Sequence, residues 1–159
     1  KASQNGTNIT FIEEPFPFGT GGALVNAKAH LGNEPFMLST SDIIFDFSQM
    51  KLPVHVESAH LIAVKNPDHN QKGDFSINKN TVFVHNERND FTYSGVSIIN
   101  PKILEAHVSR EYPFDLWNTI LKPLIINSLI TAHLDHSLWI DVGTEDRLEL
   151  ARRVLKDEN

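Results

Sequence analysis

The chain has 159 residues, of which 40% are hydrophobic, and this composition suits one globular domain with a hydrophobic core. The formal net charge is −6 and no basic stripe exists, so no nucleic-acid partner is expected. No apolar run is long enough to predict a membrane partner. The absence of cysteine excludes disulfides and thiolate chemistry and fits a cytoplasmic protein.

The first half of the chain alternates strand and helix patterns. Alternating apolar and polar residues ended by Pro15 predict a first strand, and a Gly-rich turn then leads into a helix stopped by Gly32. Two apolar runs follow, and the first of them turns polar, as a buried strand does where it leaves a sheet. These predicted elements cover residues 8–15, 21–32, 35–45 and 58–67.

The second half predicts a loop and a small hairpin, a strand leading into a short helix, a helical segment and two more strands. Pro123 must end or kink the helical segment. The final helix begins at Thr144. Strands that alternate with helices indicate an α/β protein with antiparallel excursions. These predicted elements cover residues 66–87, 91–104, 113–130, 129–135 and 138–143.

Asp141 interrupts an apolar, strand-like run just before a Gly-Thr turn, in the segment WIDVGT. Thr144 is a good N-cap, and Glu145 and Asp146 suit the positive end of the helix dipole, so the helix start does not need Asp141. An unpaired buried carboxylate costs several kcal/mol, so Asp141 requires a partner, a metal ion or water. The alternative is that Asp141 only borders the helix.

Asp42 is the second acid of interest, because it ends the apolar part of the 35–45 run. Ligands of open α/β sheets bind outside the carboxyl ends of strands, so Asp42 and Asp141 could face one crevice. Two such carboxylates repel each other unless a cation lies between them, and Mg²⁺ accepts oxygen ligands and keeps sites for phosphates. Asp46 is the nearest alternative, but the sequence places it in solvent.

Other residues carry weaker signals. The GTGGAL segment (19–24) could bring backbone amides to a flat or anionic ligand, although such turns before helices are common. A strand would divide the HLDH segment (133–136) between two faces, so we interpret it as solvated rather than as a metal site. His60 is interpreted as a surface or packing histidine, and His69 could contact a ligand. No Ser-His-Asp arrangement has recognisable spacing.

Five stretches together resemble the sugar-1-phosphate nucleotidyltransferases, and they occur in the same order. The nearest branch is that of the N-acetylmuramate-1-phosphate uridylyltransferases, close to the mannose-1-phosphate guanylyltransferases. The resemblance implies a Rossmann-like mixed sheet flanked by helices, with residues 1–159 as the C-terminal portion of a single nucleotidyltransferase domain. The stretches are FGTGGAL, PFMLSTSDI, NPDHNQKGDF, FTYSGVSIINP and WIDVGTEDRL.

The resemblance implies an enzyme that forms a nucleoside-diphosphate sugar and pyrophosphate from UTP and N-acetylmuramate 1-phosphate, with Mg²⁺, in peptidoglycan recycling. It implies two acids that act in catalysis and bind Mg²⁺, and two glycines that leave room for the nucleotide base. It also implies a sugar pocket that is lined by a third glycine, with two further residues as less certain contacts of the sugar. By this resemblance the acids are Asp42 and Asp141, the base-binding glycines Gly21 and Gly22, and the sugar-pocket residues Gly95, Thr92 and Tyr93.

Two departures from the family pattern matter. The chain has Thr40-Ser41-Asp42 where the family usually has Asn-Gly-Asp, and it contains no Gly-rich triphosphate loop with its lysine. We therefore expect an N-terminal segment or a second chain to complete the sheet, between the strands predicted at 8–15 and 35–45. The alternative function is a non-catalytic nucleotide-sugar-binding or regulatory subunit that keeps the fold.

Overall fold

The computed structural model describes residues 2–4, 7–49, 52–53 and 55–157. The helices are α1 (Gly19–Leu31), α2 (Lys122–Ile126) and α3 (Glu145–Asp157), with 3₁₀ turns at Phe47–Gln49, Asp68–Asn70 and Pro101–His107 and a π-helical turn at Trp117–Leu121. The strands are β1 (Ala2–Gln4), β2 (Thr7–Ile9), β3 (Phe36–Ser39), β4 (Ile43–Phe45), β5 (Ala59–Lys65), β6 (Ser76–Asn78), β7 (Thr81–Phe83), β8 (Phe91–Ile99), β9 (Ile130–Leu134) and β10 (Trp139–Asp141).

The main sheet has six strands in the order β3-β8-β5-β9-β7-β6. β5 pairs antiparallel with β8 and parallel with β9, so the sheet is mixed. Every residue of β5 except Lys65 is buried, because both faces of this inner strand are covered. A mixed sheet with flanking helices confirms the predicted α/β class.

The hydrophobic core lies on one face of this sheet. Side chains of α1, the 3₁₀ turn Pro101–His107 and the Trp117–Ile126 helical segment pack there against β5 and β9. Leu61, Leu104 and Leu121 are fully buried at the centre. Burial of this apolar surface is the main favourable contribution to folding.

A two-stranded ribbon of β4 and β10 covers part of the opposite face. Ile43 and Phe45 on β4 and Trp139 on β10 pack against Ile62 and neighbouring side chains of β5 and β8. The ribbon is antiparallel, and β10 does not pair with β9 although the two strands are consecutive in sequence. The turn between β9 and β10 therefore carries the chain from the main sheet to the ribbon.

Most local predictions are confirmed. The helix stopped by Gly32, the buried strand over 58–67, the hairpin of β6 and β7 and the final helix are all present. Thr144 caps α3, since its hydroxyl accepts the Arg147 N–H at 3.4 Å. Pro123 lies in the first turn of α2, directly after the π-helical turn, where its missing N–H is tolerated.

Two strand predictions need correction. The strand predicted for 8–15 is limited to Thr7–Ile9, because residues 10–14 have no partner strand among the described residues. This short strand pairs with β1 and not with β3. The run over 35–45 is two strands rather than one. β3 is half exposed rather than buried, since it lies at the edge of the main sheet and leaves Met37 49% exposed.

Within the described residues, no helix is long and apolar enough to cross a membrane.

Candidate active site

The β4–β10 ribbon brings the two predicted acids together. Asp141 ends β10 opposite Ile43, and the Val142 N–H donates to the Asp42 carbonyl at 2.8 Å. A Cβ atom placed on Gly143 would lie 3.1 Å from Asp141 Oδ1 and 3.5 Å from Asp42 Oδ2. Asp42 and Asp141, hereafter the acidic pair, therefore border one small space that exists because residue 143 has no side chain.

Asp141 has three partners among the described residues. Its Oδ1 accepts the Gly143 N–H at 2.8 Å and lies 3.1 Å from Arg147 Nη2, and its Oδ2 lies 3.3 Å from His69 Nε2. The Asp141 side chain is 25% exposed. The predicted requirement for a partner is therefore met by an arginine, a histidine and a backbone amide, and the role of Asp141 as a metal ligand stays a prediction.

Arg147 reaches Asp141 because of where α3 begins. The Thr144 cap fixes the first turn of the helix, and the Leu148 N–H donates to the Thr144 carbonyl at 2.9 Å. Side chains of an α-helix point back toward its N-terminus, so a residue in this turn lies over the preceding Asp-Val-Gly segment. The spacing between Thr144 and Arg147 places Arg147 in the first turn of α3, but the contact with Asp141 was not predicted because it also depends on how α3 packs against β10.

His69 is positioned by a network of asparagines and a carboxylate. Asn66 Oδ1 accepts the Thr92 hydroxyl at 2.9 Å, and Asn70 Nδ2 donates to both Thr92 Oγ1 (3.1 Å) and Asp74 Oδ1 (3.0 Å). These bonds fix the ends of the turn that carries His69. No local pattern predicted the contact of His69 with Asp141, because it joins a loop to a distant strand.

A cavity of about 500 Å³ lies next to Asp42, one member of the acidic pair. One wall is apolar, with Trp117 stacked on Tyr93 at 5.9 Å between ring centroids. The lining also contains polar residues, and Asp42 is one of them. The cavity is lined by Thr20, Ala23, Leu24, Leu38, Ser39, Thr40, Ser41, Asp42, Tyr93, Leu116, Trp117 and Leu121.

Gly21 and Gly22 lie within α1, and the structure gives a packing reason for both. Their N–H groups donate to the Phe114 carbonyl at 3.1 and 3.3 Å. A Cβ atom at Gly21 would lie 2.7 Å from the Phe114 ring, and one at Gly22 would lie 2.7 Å from the Tyr112 ring. Their predicted role in admitting a base stays a prediction, whereas the neighbouring Thr20 and Ala23 line the cavity.

Gly95 lies against the segment that carries Asp42. Its φ of +84° favours glycine, and its carbonyl accepts the Thr40 N–H at 3.1 Å. A Cβ atom at this position would collide with the Thr40 hydroxyl. The glycine therefore positions Thr40, which itself lines the cavity.

Thr92 and Tyr93 have different surroundings. Thr92 is buried and belongs to the network that holds the His69 turn. Tyr93 lines the cavity, and its hydroxyl lies 2.8 Å from Ser97 Oγ. Burial raises the pKa of Tyr93 to about 12, so its hydroxyl stays protonated at neutral pH.

The acidic pair has a donor set that fits Mg²⁺. Both ligands are carboxylates, and Mg²⁺ is commonly bound by one or two carboxylates together with substrate phosphates and water. No group of three or more His, Cys, Asp or Glu side chains in the described part of the chain could hold a metal by itself. Any Mg²⁺ here would depend on the substrate for further ligands.

The histidines in the main sheet form a structural pair. His60 Nε2 lies 2.7 Å from His133 Nδ1, and His60 Nδ1 lies 2.7 Å from Thr131 Oγ1. His60 is 8% exposed, so the packing interpretation of this residue is confirmed. His133 contacts His60 and is only partly exposed, so the interpretation of the HLDH segment as solvated is wrong for His133, whereas His136 is exposed.

Comparison with known proteins gives the chain a family. No family model matches it. The N-acetylmuramate alpha-1-phosphate uridylyltransferase of Neisseria meningitidis is 31% identical, over 94% of this chain and 68% of that protein. The chain belongs to the sugar-1-phosphate nucleotidyltransferase family. The resemblance inferred from the five motifs is thereby confirmed.

Other nucleotidyltransferases agree with this assignment. Mannose-1-phosphate guanyltransferase 2 of Candida glabrata is 28% identical, over 87% of this chain and 42% of that protein. The UTP-bound UGPase of Acinetobacter baumannii has a TM-score of 0.75 at 14% identity, over 99% of this chain and 63% of that chain. This structural likeness shows the Rossmann-like fold of the sugar nucleotidyltransferases.

Proposed function

We propose that the chain is part of a Mg²⁺-dependent enzyme that joins UTP and N-acetylmuramate 1-phosphate and releases pyrophosphate. The 31% identical relative carries this activity in its name, which supports the choice of base and sugar. A cytoplasmic role in peptidoglycan recycling belongs to the same proposal. The observation that carries it is the convergence of the acidic pair, whose member Asp42 lines a cavity that is large enough for part of a nucleotide sugar.

The reaction needs alignment and charge neutralisation more than proton transfer. A phosphate oxygen of the sugar phosphate attacks the α-phosphorus of UTP, and the bond from that phosphorus to the bridging oxygen breaks, so that pyrophosphate leaves with the electron pair. The attacking oxygen is already ionised, and no side chain has to act as a base. When bound, Mg²⁺ would neutralise charge that develops on the phosphates.

The residues of this chain would divide the remaining tasks. Asp42 and Asp141 would hold Mg²⁺. Tyr93 and Trp117 would supply an apolar wall for the sugar, next to the Thr40 and Gly95 backbone. In this proposal the ordered rim and wall hold the sugar phosphate in one orientation toward the α-phosphorus, which accelerates the reaction by removing rotational freedom in advance.

The proposal includes a second segment along β3. Its outer edge is free of any described strand, and the chain spans 68% of the length of its 31% identical relative. An N-terminal segment or a second chain that pairs with β3 would complete the sheet and bring triphosphate-binding groups to the cavity. An unpaired strand edge otherwise invites non-specific pairing.

The test is turnover by the intact protein and its Asp141→Asn variant, measured as pyrophosphate released from UTP and N-acetylmuramate 1-phosphate with Mg²⁺. We expect the variant to lose at least about a hundredfold in kcat, because the change removes charge and keeps shape. Asp46→Asn is the matched control, since Asp46 is exposed and only caps the Phe47–Gln49 turn. Equal rates in Asp141→Asn and Asp46→Asn would contradict the proposed role.

The same assay addresses the alternative function. A protein that binds a UDP-sugar tightly, by calorimetry, and yet releases no pyrophosphate would be a non-catalytic binding subunit. The specific feature that favours this alternative is Ser41, which lines the cavity where the family usually has glycine. Ser41→Gly should then leave the protein without turnover.

A further inference from the structure

Arg147 lies beside both members of the acidic pair. The space that a Cβ atom on Gly143 would fill is bordered by Arg147 Nη2 at 3.0 Å, Asp141 Oδ1 at 3.1 Å and Asp42 Oδ2 at 3.5 Å. The guanidinium is in direct contact with Asp141, at 3.1 Å, and its side chain is only 26% exposed. A permanent positive charge therefore stands where two negative charges converge.

The hydrogen-bonding capacity of this guanidinium is incompletely satisfied by the described residues. Its Nε is buried and has no hydrogen-bond partner within the described residues. An unpaired buried donor is unfavourable, so the interaction with the carboxylate has to stabilise this position. His69 is the other cation-forming group in contact with Asp141, and it lies on the opposite oxygen.

We propose that Arg147 is a built-in counter-ion that lowers the affinity of the acidic pair for a free divalent cation, so that the metal enters together with a triphosphate. This inference rests on the proposed function, because it assumes that the acidic pair is the metal site. Arg147 is a positioning residue in this account and not a catalytic one. Its effect is to make the site favour the metal–triphosphate complex over the free divalent cation.

The physical argument is one of charge. Two carboxylates without a cation repel each other, and Arg147 neutralises half of their charge. A free divalent cation gains the attraction of the acidic pair but is repelled by the guanidinium a few ångströms away. A metal–triphosphate complex carries net negative charge, so the guanidinium attracts the complex while it disfavours the bare ion.

The test uses Mn²⁺ alone as the probe, with its binding to the intact protein followed by electron paramagnetic resonance. Arg147→Met removes the charge and keeps an unbranched, helix-compatible side chain, and Arg147→Lys keeps the charge. We expect Arg147→Met to bind Mn²⁺ on the order of tenfold more tightly than the wild type, and Arg147→Lys to bind like the wild type. Arg152→Met is the matched control, because Arg152 is exposed on the same helix and pairs with Glu149.

Folding of each variant is checked by circular dichroism, and UTP is added in a second titration. We expect UTP to remove or reverse the difference between Arg147→Met and the wild type, because the metal then enters in a negatively charged complex that the guanidinium attracts. Unchanged or weaker Mn²⁺ binding in Arg147→Met would overturn this inference and leave the proposed metal site intact. Tighter binding in Arg147→Lys, equal to that of Arg147→Met, would overturn the charge argument. Absence of Mn²⁺ binding with and without UTP, in every variant, would overturn both the inference and the metal site.

Discussion

Gly95 and Thr40 show how one backbone contact shapes the candidate site. Thr40 leads directly into Ser41 and Asp42, and its N–H is held by the Gly95 carbonyl. A side chain on Gly95 would have to displace the Thr40 hydroxyl and would also be strained by the positive φ. The position of Asp42 at the rim therefore depends on the absence of a side chain on the neighbouring strand.

We expect Gly95→Ala to lower the free energy of unfolding by about 2 kcal/mol and to reduce turnover, because it combines backbone strain with a displaced Thr40. Thr40→Ala should recover part of this loss in the double variant. Urea unfolding of the four proteins in the cycle measures the coupling. Gly32→Ala provides the comparison, since Gly32 has a positive φ with open space around it and should show no coupling to Thr40. Full additivity between Gly95→Ala and Thr40→Ala would contradict the predicted collision.

The buried His60, paired with His133, makes stability depend on pH. Burial and the neighbouring His133 lower the pKa of His60 to about 4, from an ordinary value of 6.5. Between these values the unfolded chain binds a proton that the folded chain does not, so the free energy of unfolding falls as the pH falls from 6.5 to 4. Below about pH 4 both the folded and the unfolded chain bind this proton, so His60 causes no further change in the free energy of unfolding.

We expect His60→Gln to be less stable than the wild type at pH 7. Between pH 6.5 and 4, however, the free energy of unfolding of the variant should fall less than that of the wild type, by up to roughly 3 kcal/mol. Urea unfolding at several pH values in this window measures the difference. Burial and Arg110 also lower the pKa of His107, but this contribution is common to both proteins. The exposed His30→Gln serves as the control. Parallel pH profiles for the wild type and His60→Gln would rule out His60 as the source.

At the level of elements, the β6–β7 hairpin carries an unfavourable turn residue. Asn78 pairs with Thr81, so Lys79 and Asn80 form a two-residue loop, and Lys79 has a φ of +57°. Two-residue hairpin loops favour glycine where φ is positive, because a Cβ atom crowds the backbone there.

Lys79→Gly should therefore raise the free energy of unfolding by roughly 0.5–1 kcal/mol, in spite of the added flexibility of the unfolded chain. Thermal unfolding, supported by urea titration, would detect this gain. Lys65→Gly is the contrasting variant, since Lys65 lies at the end of β5 with ordinary strand geometry. Glycine at this position should lower the free energy of unfolding of the protein. A loss of stability in Lys79→Gly similar to that in Lys65→Gly would show that the turn is not strained.

Elements with a local signal could be predicted from the sequence, whereas their long-range pairing could not. Gly32 and Thr144 mark helix ends through backbone and capping preferences that act within a few residues. The pairing of β4 with β10 involves two three-residue strands and has no local signature. Asp42 and Asp141 were found by their chemistry and by family resemblance, but the Arg147 and His69 contacts depend on tertiary packing.

The interpretation of the glycines in α1 illustrates the same limit. A glycine before or within a helix is compatible with ligand approach and with close packing, and the sequence does not distinguish the two. The rings of Phe114 and Tyr112 come from a segment far along the chain. Only the folded arrangement shows that these rings occupy the space beside Gly21 and Gly22.

At the scale of the whole molecule, the main sheet has one edge next to the candidate site. β3 pairs with β8 on one side and with no described strand on the other. We propose above that another segment pairs there, and this pairing would protect the outward-facing amides of Phe36–Ser39.

Hydrogen exchange tests this pairing. We expect peptides that contain Phe36–Ser39 to exchange slowly in the intact protein and faster, by at least about tenfold, in the isolated 159-residue chain. Peptides from the inner strand β5 are the internal control, because both of its neighbours are already present in this chain. Equal exchange of Phe36–Ser39 in the two proteins would show that no additional strand pairs with β3.

The β4–β10 ribbon also fixes when the acidic pair can come into existence. β3, β5, β8 and β9 are all made before residues 139–141 leave the ribosome, so the main sheet can be assembled while Asp42 still faces solvent alone. Closing the ribbon joins β4 to β10, which lie far apart in the chain. Until residues 139–141 have left the ribosome, a nascent chain therefore has Asp42 without Asp141, and the proposed metal site does not yet exist.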